Sequence, residues 1–179
     1  GVDLIQALRQ AVADMVPHHW REEVGAAALL LLERLINSDF FREAALYPSC
    51  QEVSFTYYLR PADNSGQVFE FNGSIDRLLF YPDGSLGIID YKTDQIESEQ
   101  VEQRAKSYQW QLALYVLAAK SLFKSPVRDA RLYFLRPAAA VHLPVAEEWL
   151  AAAKAELEQI CQFVSRHRQE ADYKPDTAF

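Results

Sequence analysis

The sequence is poor in cysteine, has no long apolar run and carries no excess of positive charge. Among 179 residues there are two cysteines, Cys50 and Cys161, and neither belongs to a C-x-x-C pair. They predict reduced thiols, as in a cytoplasmic protein, and exclude a site built from four cysteines. No apolar run approaches the roughly 18 residues that a membrane span needs. The first residues also lack the basic start and apolar stretch of a signal peptide.

The formal net charge is −7 at neutral pH. Because non-specific affinity for nucleic acid comes mainly from lysine and arginine at phosphates, this charge argues against a protein that coats DNA. Contact with a polyanion would have to be local, bridged by metal, or supplied by other parts of a larger protein. A site built from carboxylates is not excluded.

Half of the residues are hydrophobic, and the length suits one globular domain of the α/β class. We divide it into N-terminal helices (1–48), a central core (50–145) and a C-terminal helix and tail (146–179). Helical spacing is predicted over 4–46, with a turn at 17–19 and a well-buried helix at 26–35. A final helix over 146–168 and an extended tail at 172–176 complete the chain.

The central core is predicted to be a meander of three antiparallel strands, then a helix and two further strands. Aromatic and β-branched residues indicate the strands. Polar turns at 61–66 and 82–85 separate them. The predicted strands are 52–59, a second made of 68–71 and 74–81, then 86–91, 130–135 and 141–143, with a single helix over 97–123 before the last two.

Two aspartates stand at corresponding places on neighbouring predicted strands. Asp76 interrupts one apolar strand, and Asp90 ends the next, two residues before Lys92. Since alternate residues of a strand share a face, Asp90 and Lys92 should point into the same cavity, with Tyr91 on the other side and its carbonyl at the rim. Two carboxylates and a carbonyl suit Mg²⁺, and a neighbouring lysine can orient or deprotonate a bound water.

Each of these residues also has a structural explanation. Asp76 alone could form a salt bridge with Arg77, and Asp90 with Lys92 could be an ion pair on an edge strand. The apolar residues before Asp90 favour a central strand. Central strands rarely end in charged residues unless those residues have a function. Glu52, which begins a strand, is either a third carboxylate near the metal or a structural anchor, and the sequence leaves both open.

Further polar residues border this candidate site. Tyr108, Gln111 and Tyr115 are spaced by three and four, which predicts one helical face, and Gln111 could bind a phosphate or a metal-bound water. Thr93 and Asp94 could cap the next helix. His18 and His19 fall in the turn between helices, where exposure to solvent is the expected state.

Three motifs occur in order: GSID at 73–76, IDYKTD at 89–94 and YQWQLALY at 108–115. Together they resemble the G-x-I-D, D-Y-K-[ST] and Y-x-x-Q-x-x-x-Y motifs of the PD-(D/E)XK nuclease superfamily, in particular its RecB/AddA-type nuclease domains. EVSF at 52–55 looks like the family's E-x-x-F strand. The resemblance covers residues 30–143, and the three motifs are specific as a set.

The resemblance implies a restriction-endonuclease-like αβββαβ core with a mixed sheet, and a Mg²⁺-dependent deoxyribonuclease that Mn²⁺ also supports. Asp76, Asp90 and the Tyr91 carbonyl would hold the metal, Lys92 would position the attacking water, and Gln111 and Tyr115 would support the site. Such domains belong to helicase–nucleases that process double-strand DNA ends. No G-x-x-x-x-G-K-[ST] loop occurs in this sequence, so the expected setting is a larger bacterial polypeptide with its motor elsewhere and a partner subunit.

The family usually adds a histidine ligand within a G-T-x-x-H-like stretch of an N-terminal helix, and no such stretch occurs here. We assign that role to no residue and expect incomplete metal geometry in the isolated domain. A second hypothesis is a domain of the same fold that guides DNA or docks a partner subunit without catalysis, but such domains are expected to lose the aspartates or the lysine. A nuclease with an iron–sulfur cluster would need four cysteines.

Overall fold

A computed structural model describes residues 4–20, 24–61 and 66–167 of the chain. None of the helices within these ranges combines the length and the apolar character that crossing a bilayer requires. The predicted extended tail at 172–176, the last residue of the predicted helix at 146–168, and most of the predicted turn at 61–66 lie outside the described residues.

Among the described residues, three α-helices precede the sheet: α1 (Leu4–Met15), α2 (Ala26–Ile36) and α3 (Asp39–Ala44), with a short 3₁₀ turn at His18–Trp20. The side chain of Ser38 caps α3 by accepting a hydrogen bond from the backbone N–H of Phe41 at 3.1 Å. The prediction that the helix at 26–35 is well buried was wrong. Leu35 is buried in α2, but Leu30 remains 51% exposed, because the helix packs along one side only although its composition is apolar all round.

Five strands form one mixed sheet in the order β1-β2-β3-β4-β5. Neighbours are antiparallel except β3 and β4, which are parallel. The two apolar segments predicted at 68–71 and 74–81 form one continuous strand. The strand bounds are Ser49–Leu59 (β1), Phe69–Phe80 (β2), Leu86–Lys92 (β3), Val127–Phe134 (β4) and Ala139–Leu143 (β5).

The remaining helices are α4 (Val101–Lys106), α5 (Gln109–Phe123) and α6 (Glu147–Arg166). The prediction of one helix over 97–123 was wrong, because the segment is interrupted at Ser107 and Tyr108. At the end of α4 the Arg104 carbonyl accepts two hydrogen bonds from Ser107, from its hydroxyl at 2.7 Å and from its backbone N–H at 3.0 Å. The break gives Tyr108 a backbone conformation of its own, with φ of −102° and ψ of −1°.

The sheet is covered on both faces. On one face α5 buries Leu112, Val116 and Ala119 against strand residues that include Ile88 and Leu132. On the other face, Phe40 of α3 stacks on Tyr133 of β4 with ring centroids 4.4 Å apart. The first five residues of β3 are consequently all buried, as expected for a central strand. The predicted αβββαβ core with a mixed sheet is confirmed.

Candidate active site

The two aspartates lie side by side where β2 and β3 diverge. Arg77 pairs with Ile89, which places Asp76 next to Asp90 along the antiparallel ladder. The backbone N–H of Tyr91 donates to Asp76 Oδ2 at 2.8 Å. The neighbouring Arg77 instead donates to the Ala44 carbonyl at 3.2 Å, so the alternative of an Asp76–Arg77 salt bridge is not the arrangement found.

Asp90 and Lys92 share a side of β3, as the strand alternation predicted. Asp90 is only 2% exposed, and its Oδ2 lies 2.6 Å from Lys92 Nζ. Despite this ion pair, Oδ2 is a buried oxygen that accepts no well-directed hydrogen bond from the described residues. Burial raises the pKa of Asp90 above its ordinary value and Asp76 adds to this effect, while the contact with Lys92 acts in the opposite direction.

A chain of contacts links Lys92 to α5. Lys92 Nζ donates to Gln111 Oε1 at 2.6 Å, and Gln111 Nε2 donates to the hydroxyl oxygen of Tyr115 at 3.0 Å. Burial raises the pKa of Tyr115, and the negative charges of Asp90, Asp76 and Glu52 reinforce the shift, against the hydrogen bond from Gln111. The structure thus brings Asp76, Asp90, Lys92, Gln111 and Tyr115 close enough for their charges and hydrogen bonds to affect one another. Their catalytic roles stay predictions.

Glu52 reaches the same region from β1. Its neighbours Gln51 and Val53 pair with Arg77 and Ile75, so Glu52 faces Asp76 across the ladder. Its φ of 50° lies in the left-handed region, which is uncommon for a non-glycine residue and is often found at functional sites. Its carboxylate accepts a hydrogen bond from the Ser74 hydroxyl at 3.2 Å. Both roles predicted for Glu52, metal ligand and structural anchor, stay predictions.

An open cleft of about 390 Å³ adjoins Asp76 on the face of the sheet that α2 and α3 cover. Its walls are mostly apolar. The cleft is lined by Leu32, Leu35, Phe41, Gln51, Glu52, Asp76, Arg77, Tyr91 and Leu135.

The residues at this point fit a hard divalent cation. Asp90 contributes a buried carboxylate oxygen that lacks a directed hydrogen bond, and Asp76 lies beside it. Mg²⁺ commonly binds proteins through one or two carboxylates and keeps several waters. Among the described residues no cluster of three histidine, cysteine, aspartate or glutamate side chains is arranged to hold a metal. His18 and His19 lie in the exposed turn after α1, as predicted.

Three residues near Lys92 have contacts that the sequence did not reveal. The prediction that Thr93 and Asp94 cap a helix was wrong, because Glu97 caps the turn at Ser98–Gln100. Asp94 Oδ1 instead lies 2.6 Å from Arg104 Nε, and both Asp94 oxygens accept from the Tyr108 hydroxyl. An acid, a base and a tyrosine spaced by ten and four residues form no local pattern, so only the tertiary fold identifies this group.

A mixed sheet with an aspartate and a lysine at the end of its central strand, and a second aspartate on the adjacent strand, is the arrangement that the three motifs predicted. Residues 2–177 match the family model of the PD-(D/E)XK nuclease superfamily. The chain belongs to that superfamily.

Relatives that are similar to parts of the chain are named as one subunit of an ATP-dependent helicase/nuclease. The protein of Oceanobacillus iheyensis is 34% identical over 91 residues, which are 49% of this chain and 7% of the relative. That of Carboxydothermus hydrogenoformans is 36% identical over 100 residues, 52% of this chain and 8% of the relative. The chain therefore matches only a small part of each relative's length.

Among solved structures, the chain is similar to the crystal structure of SSO0001. The two are 14% identical and superpose with a TM-score of 0.42 over 96% of each chain. This likeness is too weak to support a functional argument.

Proposed function

We propose that this chain is one nuclease domain that hydrolyses DNA phosphodiester bonds with Mg²⁺, or with Mn²⁺ in its place. We place it in a larger cytoplasmic helicase–nuclease that processes double-strand ends in recombinational repair. The superfamily and the names of the helicase/nuclease relatives support this setting. Its substrate would be a single strand or an unwound duplex end, delivered by helicase domains of the same polypeptide and aided by a partner subunit.

The observation that carries the proposal is the contact chain from Asp90 through Lys92 to Gln111. It lies at the end of the central strand, with Asp76 on the adjacent strand. A buried carboxylate and a lysine that is only 11% exposed lower the stability of the fold when they lose their hydration. Such groups are common at functional sites. Placed beside a second carboxylate, this carboxylate and this lysine form a site suited to hydrolysis of a phosphodiester.

Each residue has a defined task in this proposal. Asp76 and Asp90 would hold the cation together with the Tyr91 carbonyl, and the cation would supply Lewis acidity and an acidified water. Lys92, fixed by Asp90 and Gln111, would orient the attacking water and balance the negative charge that develops on the phosphate. Gln111 would keep the lysine in place, and the Tyr115 hydroxyl would fix the amide of Gln111.

A cation for the DNA backbone lies close to this group. The Leu135 N–H donates to the Lys92 carbonyl at 2.8 Å, which ties the start of the β4–β5 turn to the end of β3. The next residue, Arg136, is exposed and donates from Nε to the Thr93 carbonyl at 3.3 Å. Its guanidinium also carries two terminal amino groups, and we propose that they contact a phosphate of the bound strand.

The test is cleavage of a labelled single-stranded oligonucleotide by the intact helicase–nuclease that contains this chain, with Mg²⁺ or Mn²⁺, because we expect the isolated domain to hold the metal with incomplete geometry. Asp90→Asn and Lys92→Met should each lower the rate by at least about 10²-fold, because each removes a group that acts on the water or the cation. Asp14→Asn, which removes the same charge from exposed α1, should cleave like the wild type. Thermal melting checks that all variants are folded.

Metal binding is tested separately from activity. Crystals soaked in Mn²⁺ should show anomalous density between Asp76 and Asp90, and this density should be lost in Asp90→Asn. Undiminished cleavage by both Asp90→Asn and Lys92→Met would contradict the proposed nuclease site. DNA binding without cleavage, in the wild type with Mn²⁺ bound, would favour the domain that guides DNA without cutting it.

A further inference from the structure

Three side chains contact one another just beyond the C-terminal end of β3: Asp94, Arg104 and Tyr108. Arg104 Nε lies 2.6 Å from Asp94 Oδ1, and Arg104 Nη2 donates to the Tyr108 hydroxyl at 3.1 Å. The Tyr108 hydroxyl in turn donates to Asp94, at 2.9 Å and 3.0 Å from its two oxygens. Every member therefore contacts both others, which fixes the orientation of the tyrosine ring.

The face of that ring is turned toward Lys92. Lys92 Nζ lies 4.1 Å from the centroid of the Tyr108 ring, well within the range of a cation–π contact. The lysine side chain is 11% exposed, so the contact is poorly screened by water. The ammonium is thus in contact with three groups: the Asp90 carboxylate, the Gln111 amide and the Tyr108 ring.

We propose that Tyr108 is a positioning residue for Lys92, and that Asp94 and Arg104 act through Tyr108 by fixing its ring. The inference rests on the proposed nuclease function, in which Lys92 orients the attacking water. Without the ring, the ammonium of Lys92 would keep its contacts with Asp90 and Gln111. It would lose the contact that restricts its motion toward the position of Tyr108. A catalytic group that moves by about 1 Å can lose a large part of its effect.

The chain connectivity supports this role. Asp94 follows Lys92 by two residues, and Gln111 follows Tyr108 by three. The group therefore joins the segment that carries the lysine to the α4–α5 junction, from which the helix carrying Gln111 begins. Burial and the bond to Asp94 raise the pKa of the Tyr108 hydroxyl, so the phenol keeps its proton for this bond near neutral pH.

A graded series of variants separates the ring from the hydroxyl. Tyr108→Phe keeps the ring but loses the hydrogen bonds to Asp94 and Arg104, and its kcat should stay within about threefold of the wild type. Tyr108→Leu removes the ring, and its kcat should fall about tenfold or more with little change in KM. The expected order of kcat is wild type, then phenylalanine, then leucine.

Tyr47→Leu is the matched control. Tyr47 is also half-buried and makes an edge-on contact with Tyr81 at 4.7 Å. Its cluster shares only Tyr91 with the proposed site, and there the backbone carbonyl of Tyr91 is assigned, not its ring. Tyr47→Leu should lose stability without a specific loss of kcat. Wild-type kcat in Tyr108→Leu, or equal losses in Tyr108→Leu and Tyr108→Phe, would overturn the inference and leave the nuclease function intact.

A spectroscopic readout tests the contact without requiring activity. Protons over an aromatic face are shifted upfield, so the Hε resonances of Lys92 should lie upfield in labelled wild-type protein and in Tyr108→Phe. They should return to the ordinary lysine position in Tyr108→Leu, with assignment by their loss in Lys92→Met. If the wild type cleaves no DNA, the nuclease function fails, and this shift still decides whether Tyr108 holds the lysine.

Discussion

At the scale of single residues, Gly73 has a steric role next to the candidate site. A Cβ at this position would lie 2.6 Å from Cζ of Phe55 and 2.9 Å from its Cε1, closer than carbon atoms can approach. Phe55 is buried and makes an edge-on contact with Tyr115, with ring centroids 5.6 Å apart. The glycine of the GSID motif thus leaves room for a ring that supports Tyr115.

We expect Gly73→Ala to lower the free energy of unfolding by about 1–3 kcal/mol, because Phe55 must move into an occupied space. Cleavage should also fall, since the displaced ring presses on Tyr115. Chemical denaturation and the oligonucleotide assay measure the two effects.

Gly25→Ala is the control for this change. A Cβ there would meet Val12 at an ordinary 3.5 Å, and the backbone of Gly25 is already helical. We expect it to be neutral or stabilising by up to about 1 kcal/mol. Equal stability of Gly73→Ala and the wild type would contradict the steric argument.

The sequence correctly predicted the position of a side chain where the alternation of a β-strand determines which face it occupies. The alternation along β3 correctly predicted that Asp90 and Lys92 share one side, and Tyr91 packs on the opposite face against Tyr133. It could not reveal that Asp94 binds Arg104 and Tyr108, because those partners come together only through the packing of α4. Local patterns identify the face of a side chain and not its distant partner.

At the scale of secondary-structure elements, Arg131 ties α3 to the sheet. It is 1% exposed on β4, and its Nε lies 2.8 Å from Asp129 Oδ2. One terminal nitrogen reaches Glu43 of α3 at 3.2 Å, and the guanidinium lies over the ring of Phe40, 5.1 Å from its centroid. A helix of six residues is held against β4 by this side chain and by the ring contacts of Phe40.

Arg131→Ala should lower the free energy of unfolding by about 3 kcal/mol, because it leaves the carboxylate of Asp129 without its buried cation. Urea denaturation measures the loss. Arg9→Ala, which breaks the exposed ion pair with Glu33, should cost about 1 kcal/mol or less. Similar losses in the two variants would show that Arg131 contributes no more than a surface ion pair.

The presence and type of the helices and strands could be predicted from periodicity. Where each one ends and how much of it is buried could not. The helix expected over 97–123 has the right residues for a helix throughout, and its interruption at Ser107 depends on how α4 and α5 meet the sheet. The depth of α2 was overestimated for a related reason. An apolar composition permits burial, whereas the area available on the neighbouring elements decides how much occurs.

At the scale of the whole molecule, a net charge of −7 requires that DNA be held by a few placed cations. Two cations near the candidate site are already paired: Lys92 with Asp90, and Arg104 with Asp94. Arg136 is exposed and is oriented by the Thr93 carbonyl. If the charge of the molecule opposes binding, the loss of this one guanidinium should be measurable in the salt dependence of the affinity.

We expect Arg136→Gln, made in the inactive Asp90→Asn background, to reduce the slope of log K against log salt by about 0.7–1, the value for one lost phosphate contact. Fluorescence anisotropy with a single-stranded oligonucleotide over a range of salt concentrations gives the slope. The matched control is Arg128→Gln, which removes the same charge at the opposite end of β4, where Arg128 pairs with Asp83 at 3.0 Å. If Arg136 acts only through long-range charge, both variants should show the same reduction in slope. If Arg136 contacts a phosphate, only Arg136→Gln should reduce the slope, because salt screens the effect of the distant charge of Arg128.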